Sequence, residues 1–205
     1  MRAAPVVRPA TAADVPAVGA MLARAFHDDP VSAYLFPSAR RRPGGLRTFF
    51  GRQMACDLLP HGGVFTTDGC RGAALWAPPG KPQPSRLAVA RTVLPVVPYV
   101  VGRTFRRSVS FLAQVEAIHP HEPHWYLATL GTEPAEQGRG IGSALLRAVL
   151  DRADAEGVRA YLESSKAGNV PFYRRHGFEV SREVRLEGGP PIWAMWREPG
   201  AGPAG

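Results

Sequence analysis

The pattern of apolar and polar positions predicts a chain in which helices and strands are mixed. Four apolar side chains near the N-terminus recur at helical spacing: Val15, Val18, Leu22 and Phe26. They predict a first helix over residues 12–26, which Thr11 can cap. Residues 31–60 predict a second helical region, with a break at the Pro43-Gly-Gly sequence. The amphipathic run 141–156 predicts a further long helix.

Seven short apolar runs predict strands, because turn or helix signals separate them. They cover residues 6–8, 63–67, 71–76, 124–130, 159–164, 178–185 and 192–197. Asp68-Gly69 predicts a hairpin between the second and third strands. Residues 77–84 contain four prolines and predict a loop, whereas 85–118 predict helices kinked at two prolines, and 169–176 a last helix. The expected fold class is α/β (α+β), a central sheet flanked by helices.

Length and composition indicate a single globular domain. With 205 residues, 45% of them hydrophobic, the chain can bury a full core. We predict one domain over residues 1–199 and a disordered tail over 200–205, which has no apolar anchor. The net charge of +8 suggests an acidic partner, but nearly all the positive charges are scattered arginines, which a biased base composition also explains. We expect no nucleic-acid partner.

Cysteine usage and hydropathy bear on the compartment. Cys56 and Cys70 are the two cysteines of the sequence, and they form no metal-ligand spacing. The longest apolar stretch, 87–102, is broken by Arg91 and two prolines and falls short of the ~20 residues that span a bilayer. We therefore expect a reduced, cytoplasmic protein without a bound metal or a membrane partner.

Residues 137–143, Gln-Gly-Arg-Gly-Ile-Gly-Ser, lie between the fourth strand and the helix over 141–156. Glycines allow a ligand to approach the backbone, and the start of a helix presents unpaired N–H groups with the positive end of its dipole. This combination predicts an anion site, most naturally for phosphate, to which Arg139 would add a charge. The loop lacks the lysine of a P-loop and the glycine spacing of a dinucleotide fingerprint. By itself it also fits an ordinary turn.

The order of segments after this loop gives it a more specific meaning. Two motifs carry a resemblance to the GCN5-related N-acetyltransferase (GNAT) family: Gln137-x-x-Gly140-x-Gly142 and Phe172-Tyr173-x-x-x-Gly177-Phe178. The likeness runs without a gap from about residue 125 to 180, and within the family the sequence is similar to puromycin N-acetyltransferase. The resemblance implies a mixed, mostly antiparallel sheet of about seven strands, with strands four and five splayed apart. It also implies an acceptor-side half over about 1–123 and an acetyl-CoA core over about 124–180.

Acetyl-CoA is the cosubstrate that the resemblance implies. The residues expected to contact it are Leu130, Gly131, Thr132, Gln137, Gly138, Arg139, Gly140, Ile141, Gly142, Ser143 and, more weakly, Asn169. The backbone N–H of Leu130 would donate to the thioester carbonyl. The family often has an asparagine seven residues before its tyrosine, where this chain has Lys166. Asn169 can instead cap the last helix.

Two side chains are the candidates for proton transfer. The resemblance implies that Tyr173 is the general acid that protonates the departing thiolate, and packing beside Phe172 is the alternative. Glu163, in mid-strand, is costly to bury without a partner and is the candidate base. It could take the amine proton directly or through water, hold a cationic substrate, or form a salt bridge. Three histidines are rival bases, because histidine titrates near neutral pH: His119, His121 and His124.

The acceptor amine is the least defined part of the expected reaction. Candidate walls of its pocket are Tyr34, Phe36, Trp76 and Trp125, although such aromatics more often form core. The long segment 85–118 predicts an insertion that helps to build this pocket. We expect direct acetyl transfer to the primary amine of a small molecule, with an antibiotic or a nucleoside-like amine as one candidate. The alternatives are a protein N-terminus or lysine as acceptor, or a non-catalytic regulator that binds acetyl-CoA. The protein would be a monomer or a homodimer.

Overall fold

A seven-stranded sheet forms the centre of the molecule in a computed structural model that describes residues 5–80, 86–100, 103–185 and 188–202. Its strands are β1 (Val7–Pro9), β2 (Val64–Thr67), β3 (Gly72–Ala77), β4 (Trp125–Thr132), β5 (Ala160–Ser164), β6 (Glu179–Arg185) and β7 (Pro191–Arg197). They lie in the order β1-β2-β3-β4-β5-β7-β6. The β4–β5 pair is parallel, whereas the other five neighbouring pairs are antiparallel. The predicted mixed, mostly antiparallel sheet is confirmed.

Helices cover both faces of the sheet. In the described part of the chain they are α1 (Val15–Ala25), α2 (Pro30–Leu35), α3 (Arg42–Arg52), α4 (Arg86–Val93), α5 (Arg103–Ile118), α6 (Ile141–Glu156) and α7 (Val170–Arg174). A 3-10 segment that contains both predicted proline kinks, Leu94–Tyr99, lies between α4 and α5. None of the described helices is long and apolar enough to cross a membrane.

The Pro43-Gly-Gly sequence does not break a helix, and that prediction is wrong. Pro43 lies in the first turn of α3, where its missing N–H would have had no partner. The two glycines allow close packing, because a Cβ on Gly45 would lie 2.6 Å from the Phe36 ring and one on Gly44 2.7 Å from that of Tyr99. The break comes earlier, between α2 and α3, and the chain continues after α3 in a π-helical turn, Gln53–Leu58.

Two large hydrophobic clusters, with a smaller third around Phe111 and Ile192, fill the space between sheet and helices. On one face, α6 packs Leu145, Leu146 and Val149 against the sheet. On the opposite face, α1 and α3 form a second cluster with alternate residues of β3. Because side chains alternate along a strand, β3 contributes to both clusters and is buried over almost its whole length. The sheet is therefore the shared floor of two separate layers.

β4 and β5 separate after three residue pairs, as the resemblance implied. Their pairing covers Trp125–Ala160, Tyr126–Tyr161 and Leu127–Leu162, and both strands continue beyond it. A bulge marks the point of separation. On the β3 side, Leu75 is opposite Thr129 and Trp76 is opposite Leu127, so that Ala128 is an extra residue in β4. The second half of β4 therefore has an open edge.

The C-terminal segment is held to the domain where its first residues are described. Arg197, which is 5% exposed, binds both carboxylate oxygens of Asp154 at 2.5 and 2.8 Å. The Arg197 guanidinium also donates to Ala201 O, and Gly200 N–H donates to Asp154. Both hydrogen bonds are 2.7 Å long. These bonds involve Gly200 and Ala201, the first residues of the segment 200–205 for which disorder is predicted. Residues 203–205 and the end of the predicted loop over 77–84 lie outside the described residues.

The ion pair between Arg197 and Asp154 gives a stability prediction. Asp154→Ala leaves the buried guanidinium without its carboxylate, so we expect a loss of about 3 kcal/mol of unfolding free energy, measured by chemical denaturation. The arginine lowers the pKa of Asp154. This stabilisation is complete above the unfolded-state pKa of about 4, and the wild-type advantage should shrink as the pH falls below it. Glu183→Ala, which breaks an exposed pair with Arg185, should cost less than about 1 kcal/mol. Equal losses in the two variants would contradict the prediction.

Candidate active site

The glycine-rich loop leads into α6 in the geometry of an anion site. Gly138 and Gly140 have φ angles of 75° and 79°, the left-handed region that favours glycine. Gly140 is the N-cap of α6, and its carbonyl accepts the first helical bond, from Ala144 N–H, at 3.0 Å. The N–H groups of residues 141–143 precede this bond and have no acceptor within the helix. They are available to a bound anion.

A groove of about 550 Å³, called here the α6 groove, runs from this loop past the open edge of β4 to α7. Ten of the eleven predicted cofactor residues line it: Leu130, Gly131, Thr132, Gln137, Gly138, Gly140, Ile141, Gly142, Ser143 and Asn169. Arg139 is the exception. Its guanidinium lies 2.7 Å from the carboxylate of Glu136, with which it forms an ion pair.

Two cationic side chains that the sequence analysis did not assign to the cofactor also line the α6 groove. They are Lys166, which follows β5, and Arg175, which follows α7. Lys166 stands where the family motif often has asparagine, which was a usable signal. Nothing in the sequence separates Arg175 from its neighbour Arg174. The cations nearest to a bound polyphosphate would therefore come from the C-terminal side of the groove.

The open half of β4 offers backbone donors to the α6 groove. Glu133 N–H donates to Arg71 O at 2.9 Å, on the side of β3. Backbone N–H groups alternate sides along a strand, so those of Leu130 and Thr132 point away from β3. On that side β5 has already separated from β4. The N–H of Leu130 is thus directed into the gap between the two strands.

Tyr173 lines the α6 groove and is 8% exposed. Burial raises the pKa of its hydroxyl, and the negative charge of Asp29 raises it further. The phenol is therefore protonated at neutral pH and can donate a proton. Its ring also packs against Phe172 and Phe178, with ring centroids 5.3 and 6.0 Å away.

Asp29 is a site residue that the sequence analysis missed. It is 3% exposed and caps α2, with Oδ1 accepting from the N–H groups of Val31 and Ser32 at 3.0 Å each. Its Oδ2 accepts a hydrogen bond from the Ser165 hydroxyl. The Asp-Pro sequence is a helix-start signal and could have identified the cap. It could not show that this cap lies beside Tyr173.

A second space, called here the apolar cavity, has a volume of about 300 Å³ and adjoins the α6 groove, because Phe26 and Asp29 line both. Its walls come mainly from α2, α3 and the segment from α4 to α5. The predicted insertion over 85–118 does line this cavity. Thr129 and Glu163 line it from the side of the sheet.

Glu163 projects to the face of β5 opposite Leu162, as the alternation in the sequence predicts, and its side chain is 8% exposed. His119 Nδ1 lies 3.4 Å from Glu163 Oε1, so the candidate base and one of its rivals are neighbours. Two tyrosines stand close by. Burial raises the pKa of Tyr126 and of Tyr161, and the charge of Glu163 adds to both shifts.

The three histidines line a separate polar cleft of about 350 Å³, called here the histidine cleft. It shares Tyr126 and Gln53 with the apolar cavity. His124 is 7% exposed, and burial lowers its pKa. The described residues contain no group of three or more histidine, cysteine or acidic side chains that could hold a metal ion.

The predicted aromatic walls divide into three groups. Phe36 does line the apolar cavity. Trp76 and Trp125 do not, and the structure corrects that expectation: they are 0% and 2% exposed and belong to the core beneath α6. Alternation explains this, since both point to the sheet face opposite the cavity. Tyr34 packs against Phe111, which lines the cavity, but does not itself line it.

Comparison with known sequences gives two results. The sequence model of the Acetyltransferase (GNAT) family matches residues 99–178, which extend from the end of the 3-10 segment to the turn after α7. An uncharacterised N-acetyltransferase of Schizosaccharomyces pombe is 28% identical over 200 residues, which cover 92% of this chain and 81% of the yeast protein.

Comparison with solved structures agrees. A Corynebacterium glutamicum protein described as histone acetyltransferase HPA2 and related acetyltransferase superposes with a TM-score of 0.72 at 28% identity, over 99% of this chain and 98% of the other. Polyamine N-acetyltransferase of Drosophila melanogaster superposes with a TM-score of 0.63 at 17% identity, over 95% and 100%. At that identity the likeness concerns the fold alone.

The start of α6 supplies a test of cofactor binding. Gly140→Asp would place a side chain and a negative charge beside the free N–H groups, so acetyl-CoA affinity should fall at least about tenfold, or about 1.4 kcal/mol, by calorimetry. Gly157→Asp is the matched control. Gly157 ends the same helix with φ 65°, and a Cβ at either glycine would meet no atom within 4 Å. Both variants carry the same backbone strain, but only the first should lose affinity. Unchanged affinity in a folded Gly140→Asp protein would refute the cofactor assignment.

Proposed function

This chain belongs to the GCN5-related N-acetyltransferase family, and we propose that it moves the acetyl group of acetyl-CoA directly to the primary amine of a small molecule. The family, its yeast relative and the Corynebacterium structure identify an acetyl-CoA-dependent acetyltransferase. The acceptor and the roles of single residues are the proposal. Its central observation is that the α6 groove and the apolar cavity meet at Phe26 and Asp29. Direct transfer needs both reactants in contact, and adjoining binding spaces provide this.

In the proposed complex, acetyl-CoA lies in the α6 groove with its phosphates at the start of α6. The pantetheine arm lies along the open edge of β4, where it takes the place that β5 leaves. The thioester carbonyl then accepts a hydrogen bond from Leu130 N–H. A preorganised backbone donor of this kind stabilises the negative charge that develops on the carbonyl oxygen, and one such donor can be worth about 3 kcal/mol.

Tyr173 is the proposed general acid. When the amine attacks, the carbon–sulfur bond breaks and the CoA sulfur leaves as a thiolate unless it takes up a proton. The Tyr173 hydroxyl is available because its surroundings favour the protonated form. Proton donation to the leaving group lowers the barrier to bond cleavage.

Glu163 is the proposed base or ammonium-binding group at the side of the acceptor. The incoming amine must lose protons to attack and to form the amide. Glu163 lies on the wall of the apolar cavity and can accept a proton from an amine bound there. His119, within 3.4 Å, can take up that proton and pass it to the histidine cleft. The buried carboxylate thus has a route for proton release that avoids the α6 groove.

A small molecule is the preferred acceptor because the space beside Glu163 is an apolar cavity of about 300 Å³, which suits one compact ligand. An antibiotic or a nucleoside-like amine stays a candidate of that class, in which case the activity would confer resistance. The name of the Corynebacterium protein favours the second candidate, a protein amine. We place the reaction in the cytoplasm, where acetyl-CoA is available and where Cys56 and Cys70 stay reduced.

Tyr173→Phe tests the proposed reaction once CoA release has been detected in a screen of primary amines. The variant keeps the ring and its packing but removes the proton. The value of kcat should fall by about 10²–10⁴, with little change in KM for acetyl-CoA. Tyr99→Phe is the control, since Tyr99 lines neither the α6 groove nor the apolar cavity. If the Tyr173 variant keeps a near-native kcat, the tyrosine has no part in the chemistry.

Glu163→Gln separates the two roles open to the carboxylate. Loss of a base should lower kcat about 10²-fold or more, whereas loss of an ammonium partner should raise KM for the amine and leave kcat closer to wild type. Steady-state kinetics with the best amine from the screen distinguishes the two. Glu179→Gln, which removes an exposed carboxylate on β6 that lines neither the apolar cavity nor the histidine cleft, is the control. Wild-type kinetics in Glu163→Gln would exclude both roles.

A further inference from the structure

Resting on the proposed acetyl transfer, we propose that the acceptor is a monoamine with an apolar body, and that the enzyme discriminates against amines with a second positive charge. The amine nitrogen would lie at the sheet end of the apolar cavity, near Glu163. The hydrocarbon part would lie among the helices. This assigns a substrate class to the cavity.

The helical walls of the cavity are mainly apolar, with four polar residues at or next to the helices: Asp29, Ser32, Gln53 and Ser108. Those on the α3 side include Leu46, Phe49 and Phe50, and those between α4 and α5 include Val96, Val100 and Phe105. None of the described lining residues is a lysine or an arginine. Burial of hydrocarbon surface against such walls is worth about 25 cal/mol per Å², so an apolar body contributes to binding over its whole length.

The polar side chains of the cavity lie on both the sheet and the helical side, and several of them are already paired with one another. Thr129 donates to Gln53 at 3.0 Å, and Ser165 donates to Asp29. Asp29 in turn receives two backbone N–H groups of α2. Glu163 lies 3.4 Å from His119 Nδ1 and also interacts with the hydroxyls of Tyr126 and Tyr161, but among the described residues no backbone N–H donates to it as two do to Asp29. It is therefore the carboxylate best placed to receive an ammonium group.

The mouth of the cavity is also apolar. Three lining residues on α4 and α5 are partly exposed: Val93 at 36%, Val109 at 49% and Leu112 at 44%. A ligand that enters between these helices passes hydrophobic side chains before it reaches Glu163. The second ammonium group of a short diamine would lie inside this mouth among hydrocarbon side chains, and the other carboxylate of the lining, Asp29, already accepts three hydrogen bonds. Such unpaired burial of a charge is strongly unfavourable.

A matched pair of amines tests the proposal. Pentylamine and 1,5-diaminopentane have the same carbon chain and differ in the second amino group. With saturating acetyl-CoA, kcat/KM measured by CoA release should be at least about tenfold higher for pentylamine, a difference of about 1.4 kcal/mol. An equal or higher kcat/KM for the diamine would overturn the proposal.

A pair of variants tests whether the cavity causes this preference. Val109→Asp places a carboxylate at the mouth, on an exposed helical position that tolerates it, and should reduce the preference for pentylamine at least about fivefold. Leu94→Asp adds the same charge at a residue that is 66% exposed and does not line the cavity, so it should leave the preference unchanged. Equal effects of the two substitutions would show that bulk charge, and not the cavity, sets the preference.

Failure of the proposed function gives a different result from failure of this inference. If no amine releases CoA above the background of hydrolysis, the acetyl-transfer proposal to small molecules is wrong. Calorimetric titration of the CoA-bound protein with the two amines still tests the cavity. Tighter binding of pentylamine supports the substrate class, and equal or tighter binding of the diamine rejects it.

Discussion

The separation of β4 from β5 is the constraint on which the rest of the site depends. Three pairs join the strands, and the bulge at Ala128 then turns the second half of β4 away from its partner. A strand edge left open inside a protein would normally need partners for its N–H groups. Here the open edge faces the α6 groove, which ends at the start of α6. The N–H groups of the β4 edge and those of the first turn of α6 therefore face the same elongated space. A cosubstrate with a polyphosphate end and an amide-containing arm matches that arrangement.

Asp29 lines both the α6 groove and the apolar cavity, and its carboxylate is held there by hydrogen bonds. Its carboxylate fixes the start of α2 and holds the segment after β5 through Ser165. It also stands close enough to Tyr173 to raise the pKa of that hydroxyl. One buried side chain therefore orients a helix that lines the apolar cavity and adds to the effect of burial on the pKa of the Tyr173 hydroxyl. Burial of a charge is tolerable here because three hydrogen bonds compensate for lost hydration.

The sequence was sufficient for the elements and for the backbone part of the site. All seven strands and the long helix over 141–156 follow from periodicity, and the loop glycines from their motif. Side chains were harder, because their direction depends on tertiary packing. Arg139 does not line the α6 groove and pairs with Glu136, which does, whereas Lys166 and Arg175 line the groove themselves. The first turn of α3 shows the same limit, because a proline such as Pro43 can either break a helix or begin one. Here it begins the helix, and the two glycines after it pack closely against Phe36 and Tyr99.

The two halves of the site also differ in what likeness to the GNAT family can reveal. The matched region, residues 99–178, contains the open half of β4, the start of α6, Glu163 and Tyr173. Only about half of the walls of the apolar cavity belong to this region, and most of the other lining residues, such as Phe36, Leu46 and Val96, precede it. Likeness to the family therefore speaks for the cosubstrate and the reaction, but it leaves the acceptor undefined. The acceptor has to be inferred from this chain's own lining, in which Glu163 is a buried carboxylate at the sheet and most of the other wall residues are apolar. Those two features together favour one positive charge on an apolar molecule.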